Sequence, residues 1–60
     1  MIRTGDVVIE KQEGLNSSRK ILIIYDDLGE NSEYCYALPL EDAGNPILPM
    51  QFPKENLSKI

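Results

Sequence analysis

The residues of this chain best suited to contact another molecule are two tyrosines, Tyr34 and Tyr36. If they lie on a strand, their side chains point to the same face of the sheet, because residues at i and i+2 share a face. Tyrosine combines a large apolar ring with a polar hydroxyl and is enriched in protein interfaces. Tyr25 could join the pair from a neighbouring strand. The chain has only four aromatic residues, however, and some of them must build the core. Contact surface and edge of the core therefore both stay open for this pair.

Carboxylates are concentrated around these tyrosines, whereas no Lys or Arg occurs from residue 21 to residue 53. An acidic cluster can bind a hard cation or attract a basic protein. The alternating acidic ligands of a calcium loop are absent, so the spacing favours a protein. We predict a protein-binding site formed by Tyr34, Tyr36, Asp26, Asp27, Glu30 and Glu33. The alternative is that these carboxylates, with Glu41 and Asp42, lie in two solvated turns that keep a small protein soluble.

The chain is poor in residues that catalyse reactions or bind metals. It has no His, so general base catalysis would depend on carboxylates, Lys, Tyr or Cys35. Cys35 has no cationic neighbour in the sequence to stabilise a thiolate, and we interpret it as a buried, inert thiol. A structural zinc site needs about four ligands, which one Cys without His does not provide. The sequence therefore predicts a protein that is not an enzyme, with no catalytic residue, no metal and no cofactor.

Composition narrows the class of protein further. Ten acidic and six basic residues give a net charge of -4, which argues against non-specific binding to nucleic acid or to an anionic membrane. A single Cys cannot form a disulfide within the chain. Polar Arg3 and Thr4, which follow Met1-Ile2, do not resemble a signal peptide. The longest apolar run, residues 21–25, is far shorter than a membrane-spanning helix. These features predict a cytoplasmic protein without a membrane partner.

Short apolar segments separated by turn residues predict an all-β fold. The predicted strands are Asp6–Glu10, Arg19–Tyr25, Glu33–Leu40, Pro46–Phe52 and Ser58–Ile60, with a loop at residues 11–18 and a 3-10 turn at Pro53–Leu57. We expect the second strand to be buried on both faces, because it is almost wholly apolar. Pro39 should end the third strand or lie on a free edge, and the prolines of the fourth segment suggest an edge strand or a bulge.

These elements predict a single domain, residues 1–60, folded as a five-stranded, partly open barrel with one short 3-10 turn near the C terminus. Closure of a sheet into a barrel is how a small all-β chain covers its sheet edges. The predicted core consists of Val8, Ile21, Ile23, Leu38, Leu48, Phe52, Leu57 and Ile60.

The two ends of the chain resemble those of SH3-like small barrels. Thr4-Gly5-Asp6-Val7-Val8 is similar to the first strand of that superfold, and Pro53-Lys54-Glu55-Asn56-Leu57-Ser58-Lys59-Ile60 is similar to its 3-10 turn and last strand. The resemblance implies an SH3-like barrel. Gly5-Asp6 followed by the strand at residues 19–24 also resembles MazF-like toxins, although the Arg-Pro step of those longer proteins is absent. The superfold serves many functions, and the paired Trp of peptide-binding SH3 domains is missing, so the resemblance does not fix a function.

We therefore expect a small acidic protein-interaction module that binds or inhibits a larger, basic protein or serves as a subunit of an assembly. Such a module would suit a phage or other mobile element whose product docks on a host protein. The alternative is a nucleic-acid-binding SH3-like barrel, which the superfold allows and the acidic charge opposes. A reduced toxin-like ribonuclease is the third hypothesis. It ranks last because, without His, its general base would have to be a carboxylate, Lys, Tyr or Cys35.

Overall fold

The computed structural model describes residues 1–11 and 20–60, and it shows an all-β protein. The strands are β1 (Val7–Glu10), β2 (Ile21–Asp26), β3 (Tyr34–Pro39), β4 (Met50–Pro53) and β5 (Leu57–Lys59). They form one antiparallel sheet in the order β4-β3-β2-β1-β5, and the sheet is not closed. The predicted loop at residues 11–18 lies, except for Lys11, outside the described residues, as does Arg19.

Two short 3-10 helices complete the described part of the chain, Leu40–Asp42 after β3 and Lys54–Asn56 between β4 and β5. Pro53 precedes the second of them, as its fixed φ favours at a helix start. Leu57 then returns to the extended conformation and pairs with Glu10 of β1. The late 3-10 turn and the following strand are thus confirmed, whereas the 3-10 helix at Leu40–Asp42 was not predicted.

Leu38 is buried, as predicted, on the same face of the sheet as Ile23, and the main core cluster lies on the opposite face. The buried members of this cluster are Val8, Leu22, Ile24, Cys35, Ala37 and Leu57, with Ile2 and Phe52 packed against them. Cross-strand pairing explains this set, since Val8 lies opposite Leu22, and Ile24 lies opposite Ala37. Residues paired across strands share a face, so each pair adds its side chains to the same cluster.

The expectation that β2 is buried on both faces was wrong. Leu22 and Ile24 are buried, but Ile23 is only half-buried and Ile21 is 46% exposed. A strand is buried on both faces only where each face is covered by another layer. The described residues form a single sheet, so the odd-numbered side chains of β2 remain on the face opposite the core, which we call the outer face.

Two further residues of the predicted core are also exposed. Leu48 is 88% exposed and precedes β4, which begins at Met50 rather than at Pro46. Pro46 and Pro49 have no N–H to donate to a ladder, so pairing starts only after them. Ile60 follows the last strand and is largely exposed. The inferences that β3 ends near Pro39 and that β4 is an edge strand are both confirmed.

Cys35 lies in the middle of the core. It is fully buried on β3, on the face opposite Tyr34 and Tyr36, as the alternation of the segment predicted. Burial raises the pKa of its thiol, because transfer from water disfavours the thiolate. Cys35 therefore contributes packing volume rather than a reactive nucleophile.

Within the parts of the chain that the structure describes, no helix has the length and apolar character needed to cross a membrane.

Candidate functional site

Tyr34 and Tyr36 lie side by side on the outer face of β3, and both are accessible. Their side chains are 44% and 36% exposed, while Cys35 between them is buried. Asp26 of β2 is the register partner of Tyr36, so this carboxylate lies next to that ring on the same face. The tyrosines are thus exposed side chains rather than members of the core.

A β-bulge in β2 lies beside this pair, at Tyr25. Ile24 pairs with Ala37 but Asp26 pairs with Tyr36, so β2 has one more residue than β3 at this point. A bulge leaves the extra residue unpaired and re-aims its side chain. Tyr25 is accordingly exposed beside Asp26. The sequence predicted that Tyr25 could join the pair but contained no signal for the bulge.

Beyond the tyrosines the outer face bears apolar residues, two of which, Ile23 and Leu38, the sequence analysis placed in the core. Leu38 follows Tyr36 on this face, is itself buried, and pairs with Ile23, which in turn pairs with Val7. Val7 and Ile23 are half-buried, although no strand of the described sheet covers this face. The alternation of Val7 and Ile9, and of Ile21 and Ile23, contained this signal. It was overlooked because β2 was assigned a core position on both faces.

The turn between β2 and β3 is fixed by its aspartates. Asp26 Oδ1 accepts the N–H of Leu28 at 3.0 Å, and Asp27 Oδ1 accepts the N–H of Gly29 at 2.7 Å. Both are Asx-type contacts, in which a side chain takes the place of a backbone acceptor. Leu28 and Gly29 have φ values of 58° and 91°, a conformation that costs a leucine energy and a glycine almost none. The two Asp residues are therefore part of the scaffold of the site as well as of its charge.

Asp27 and Glu30 do not face the tyrosines. Asp27 Oδ2 accepts the N–H of Thr4 at 3.1 Å, and the N–H of Asp27 donates to Thr4 Oγ1 at 3.1 Å. Glu30 borders a depression beside Met1 and Ile2. The six predicted site residues thus separate into one group on the outer face (Tyr34, Tyr36, Asp26) and another beside the N-terminal segment.

Glu33 connects these two groups through a lysine that the sequence analysis did not include. Glu33 and Tyr34 border a depression together with Pro53, Lys54 and Glu55. The Nζ of Lys54 donates to the carbonyl oxygen of Gly29 at 2.7 Å, and its N–H donates to the carbonyl oxygen of Glu33 at 2.8 Å. Residues 21 to 53 contain no Lys or Arg, but the surface that they form does contain a cation, because the side chain of Lys54 reaches the β2–β3 turn at Gly29.

No group of three or more His, Cys, Asp or Glu residues is arranged to hold a metal ion within residues 1–11 and 20–60. The carboxylates of the β2–β3 turn instead accept hydrogen bonds from backbone N–H groups.

The hydrogen bonds of Asp27 predict that acid reduces the stability of the fold. The N–H of Gly29 and then that of Thr4 hold the pKa of this carboxyl below its usual range. Its contribution to stability is therefore fully present above the ordinary Asp pKa of about 3.9 and is lost as the pH falls through the lower pKa of the folded state. We expect Asp27→Asn to lower the urea midpoint clearly at about pH 6 and much less at about pH 3.

Urea unfolding of wild type and variant at both pH values tests this prediction. Glu30→Gln is the matched control, since Glu30 is an exposed carboxylate of the same turn, and it should change the midpoint little at either pH. A difference between wild type and Asp27→Asn that stays constant with pH would contradict the assigned role.

Comparisons with protein-family models, with curated proteins and with solved structures found no match to this chain.

Proposed function

We propose that this protein is a small, non-enzymatic protein-interaction module whose contact surface is formed by Tyr34, Tyr36 and the neighbouring carboxylates. The observation that carries the proposal is that two adjacent tyrosines are exposed on one rigid strand. Exposed tyrosines offer apolar area at low entropic cost and often dominate binding energy. The proposed fold is an SH3-like barrel, which is supported by the strand order and by the 3-10 turn between β4 and β5.

The proposed partner is a basic protein. Asp26 lies beside Tyr36, and Glu33 borders the depression next to Tyr34. Carboxylates around an apolar centre accelerate the encounter with a cationic surface more than they deepen affinity. Asp27 and Glu30 contribute to the electrostatic potential at longer range.

Intramolecular contacts of three of the four lysines favour this function over nucleic-acid binding. Lys59 Nζ lies 3.1 Å from Asp6 Oδ2, Lys54 Nζ donates to Gly29, and Lys11 Nζ donates to the carbonyl oxygen of Glu55 at 3.3 Å. The N–H of Arg3 and then Lys59 lower the pKa of Asp6, as expected for a bonded carboxylate. Binding to phosphates would have to compete with these contacts and with the surrounding carboxylates.

Comparison of Tyr36→Ala with a matched control tests the proposed surface. Tagged wild type, Tyr36→Ala and Leu48→Ala are used to isolate partners from the native cells, and the recovered proteins are quantified by mass. Leu48 is the control because it is more exposed than Tyr36 and lies outside the tyrosine strand. We expect a basic protein that wild type and Leu48→Ala recover equally and that Tyr36→Ala loses.

With that protein purified, Tyr36→Ala should speed dissociation about 30-fold, as for a contact of roughly 2 kcal/mol. Asp26→Asn should mainly slow association, by a factor that shrinks as salt rises. Because Asp26 also orders the β2–β3 turn, retention of the wild-type circular dichroism spectrum is required of this variant. Equal recovery by all three proteins would overturn the proposed surface. Retention of the wild type on immobilised RNA or DNA at physiological salt would instead support the nucleic-acid alternative.

A further inference from the structure

The end of the outer face farthest from the tyrosines bears an aliphatic patch, which consists of Ile9, Ile21 and Leu40. Ile9 of β1 pairs with Ile21 of β2. In the neighbouring ladder Leu22 pairs with Pro39, so Ile21, just before Leu22, and Leu40, just after Pro39, lie at the same end of the two strands. Ile21 is 46% exposed and Leu40 is 41% exposed. Leu40 lies four residues beyond Tyr36, roughly 13 Å along an extended chain, so the patch is separate from the proposed tyrosine surface.

Part of the patch is concave. Ile21 and Leu40 border, with Pro39, a depression of about 600 Å³ where β2 begins and β3 ends. Apolar side chains lining a concavity lose water most favourably when another apolar surface fills it.

Charges of both signs border this depression, in contrast to the acidic surroundings of the tyrosines. Lys20 lies on the β2 side, and Glu41 and Asp42 lie on the 3-10 helix that follows β3. A twofold-symmetric contact uses the same patch on both subunits. If one residue of the first copy contacts a second residue of the other copy, the reverse contact is also formed. Lys20 of each copy can then approach Glu41 and Asp42 of the other, which makes the patch complementary to itself.

We propose that the aliphatic patch is the contact surface of a homodimer, formed when a second copy of this chain packs on it about a twofold axis. A uniformly basic partner would meet Lys20 and a uniformly acidic one would meet Glu41 and Asp42. In a second copy, Lys20 meets the carboxylates and the carboxylates meet Lys20, so each sign of charge finds its opposite across the axis. This inference does not depend on the proposed function, since the tyrosines lie outside the patch.

The sheet edges favour contact through this face rather than through added strands. The backbone N–H of Lys54 donates to the carbonyl oxygen of Glu33. Backbone N–H groups of an antiparallel strand point alternately to its two sides, so those of Phe52 and Met50 also point towards β3. The backbone nitrogens that point away from the sheet are then those of residues 49, 51 and 53. Two of these residues are prolines, which have no N–H. Prolines at such positions prevent edge-to-edge pairing.

The opposite edge is short. Strand β5 has three residues, and the groups that flank it are used within the sheet, since the N–H of Ile60 donates to the carbonyl oxygen of Val7 and the carbonyl oxygen of Asn56 accepts the N–H of Lys11. Leu57 donates to Lys54 at the end of the 3-10 turn. Lys59 is left as the outward donor of this strand, and one donor cannot support a continuous ladder.

A dimer would also compensate for the small core. A domain of 60 residues buries only about 60% of the surface of its unfolded chain, and three of the six residues in this core cluster are Val, Cys or Ala. Burial of the patch adds apolar contacts that a single copy lacks. The patch is smaller than a standard interface, so we expect a weak, reversible dimer.

Sedimentation velocity of the untagged protein tests the proposal over about 10 μM to about 1 mM, a range suited to a weak interface. We expect a concentration-dependent shift from monomer to dimer at physiological salt. Ile21→Asp should abolish the shift, and Leu48→Asp, a change of the same kind at an exposed site outside the patch, should preserve it. Wild type that stays monomeric throughout would overturn the proposal.

Charge reversal gives a second test that does not alter the apolar residues. Lys20→Glu alone and Glu41→Lys alone should each weaken self-association, because like charges then meet across the twofold axis. An equimolar mixture of the two variants, one of them labelled with ¹⁵N, should form a heterodimer, since each reversed charge meets its complement, and native mass spectrometry distinguishes it from either homodimer by the mass of the label. If Ile21→Asp fails to fold, this mixture decides. Self-association that neither reversal weakens, or a mixture without heterodimer, would place the contact elsewhere.

Discussion

Replacing Leu22 with Ala is expected to lower the free energy of unfolding by about 2–5 kcal/mol. Leu22 is almost completely buried and lies opposite Val8 in the centre of the sheet. Removal of its branched end costs the transfer free energy of the lost groups and leaves a cavity that neighbouring strands cannot fill without breaking their ladder. Since whole domains are stable by only about 5–15 kcal/mol, this single change should remove a large share of the stability.

Urea unfolding followed by circular dichroism, at one protein concentration, measures the effect of Leu22→Ala. The concentration is held constant because self-association would itself add to the apparent stability. Leu48→Ala is the matched control, as the same substitution at an 88% exposed leucine, and it should change the stability by less than about 0.5 kcal/mol. Equal losses for the two variants would show that Leu48 packs in the core after all.

The second large effect is expected from a charge placed on the core face of β2. Ile24→Lys puts an ammonium group where Ile24 is buried against Ala37 and the rest of the core. The cluster contains no carboxylate to pair with it, and an unpaired buried charge costs several kcal/mol. We expect this variant to be unfolded at neutral pH, with a disordered circular dichroism spectrum and no cooperative thermal transition.

Tyr25→Lys is the control for Ile24→Lys, because it introduces the same charge one residue farther along the same strand. The bulge leaves Tyr25 exposed on the outer face, so the lysine stays in water. This variant should fold with a thermal midpoint near that of wild type. If both variants fold, or if both are unfolded, the assignment of Ile24 to a buried face of β2 and of Tyr25 to an exposed face is wrong.

These two pairs of variants also bear on how the protein binds. The main core cluster lies on the face opposite Tyr36 and Ile21. Disruption of the core by Leu22→Ala should therefore weaken binding and dimerisation indirectly, through loss of the folded state. Variants of Tyr36 or Ile21 should act on each contact directly, with little loss of stability. Measurement of stability beside binding separates the two causes.

Local patterns in the sequence determined most of the secondary structure. The run of β-branched residues after Gly5 predicts β1, the alternation from Tyr34 to Leu38 predicts β3, and Pro53 before Lys54-Glu55-Asn56 predicts the late 3-10 turn. These signals are local because side-chain alternation and the fixed φ of proline act within a few residues. For the same reason the sequence placed Tyr34 and Tyr36 on one face and Cys35 on the other.

Local patterns could not determine which face of β2 is buried. Leu22 and Ile24 are no more hydrophobic than Ile21 and Ile23, so the sequence does not rank the two faces. Pairing decides, because Leu22 and Ile24 lie opposite Val8 and Ala37, which belong to the side that Leu57 and Phe52 cover. A difference of one residue in register would exchange the faces.

The tertiary structure also decided which carboxylates and cations share a surface. Asp26, Asp27 and Glu30 are close in sequence, yet the Asx-turn contacts and the bonds to Thr4 direct Asp27 away from Tyr36. Lys54, which is distant in sequence, lies among these carboxylates because β4 pairs with β3 and brings it to Gly29. The sequence determined the strands, their alternation and the chemistry available to them. Long-range pairing decided which residues meet, because strand partners far apart in the chain are selected by the packing of the whole sheet rather than by any local pattern.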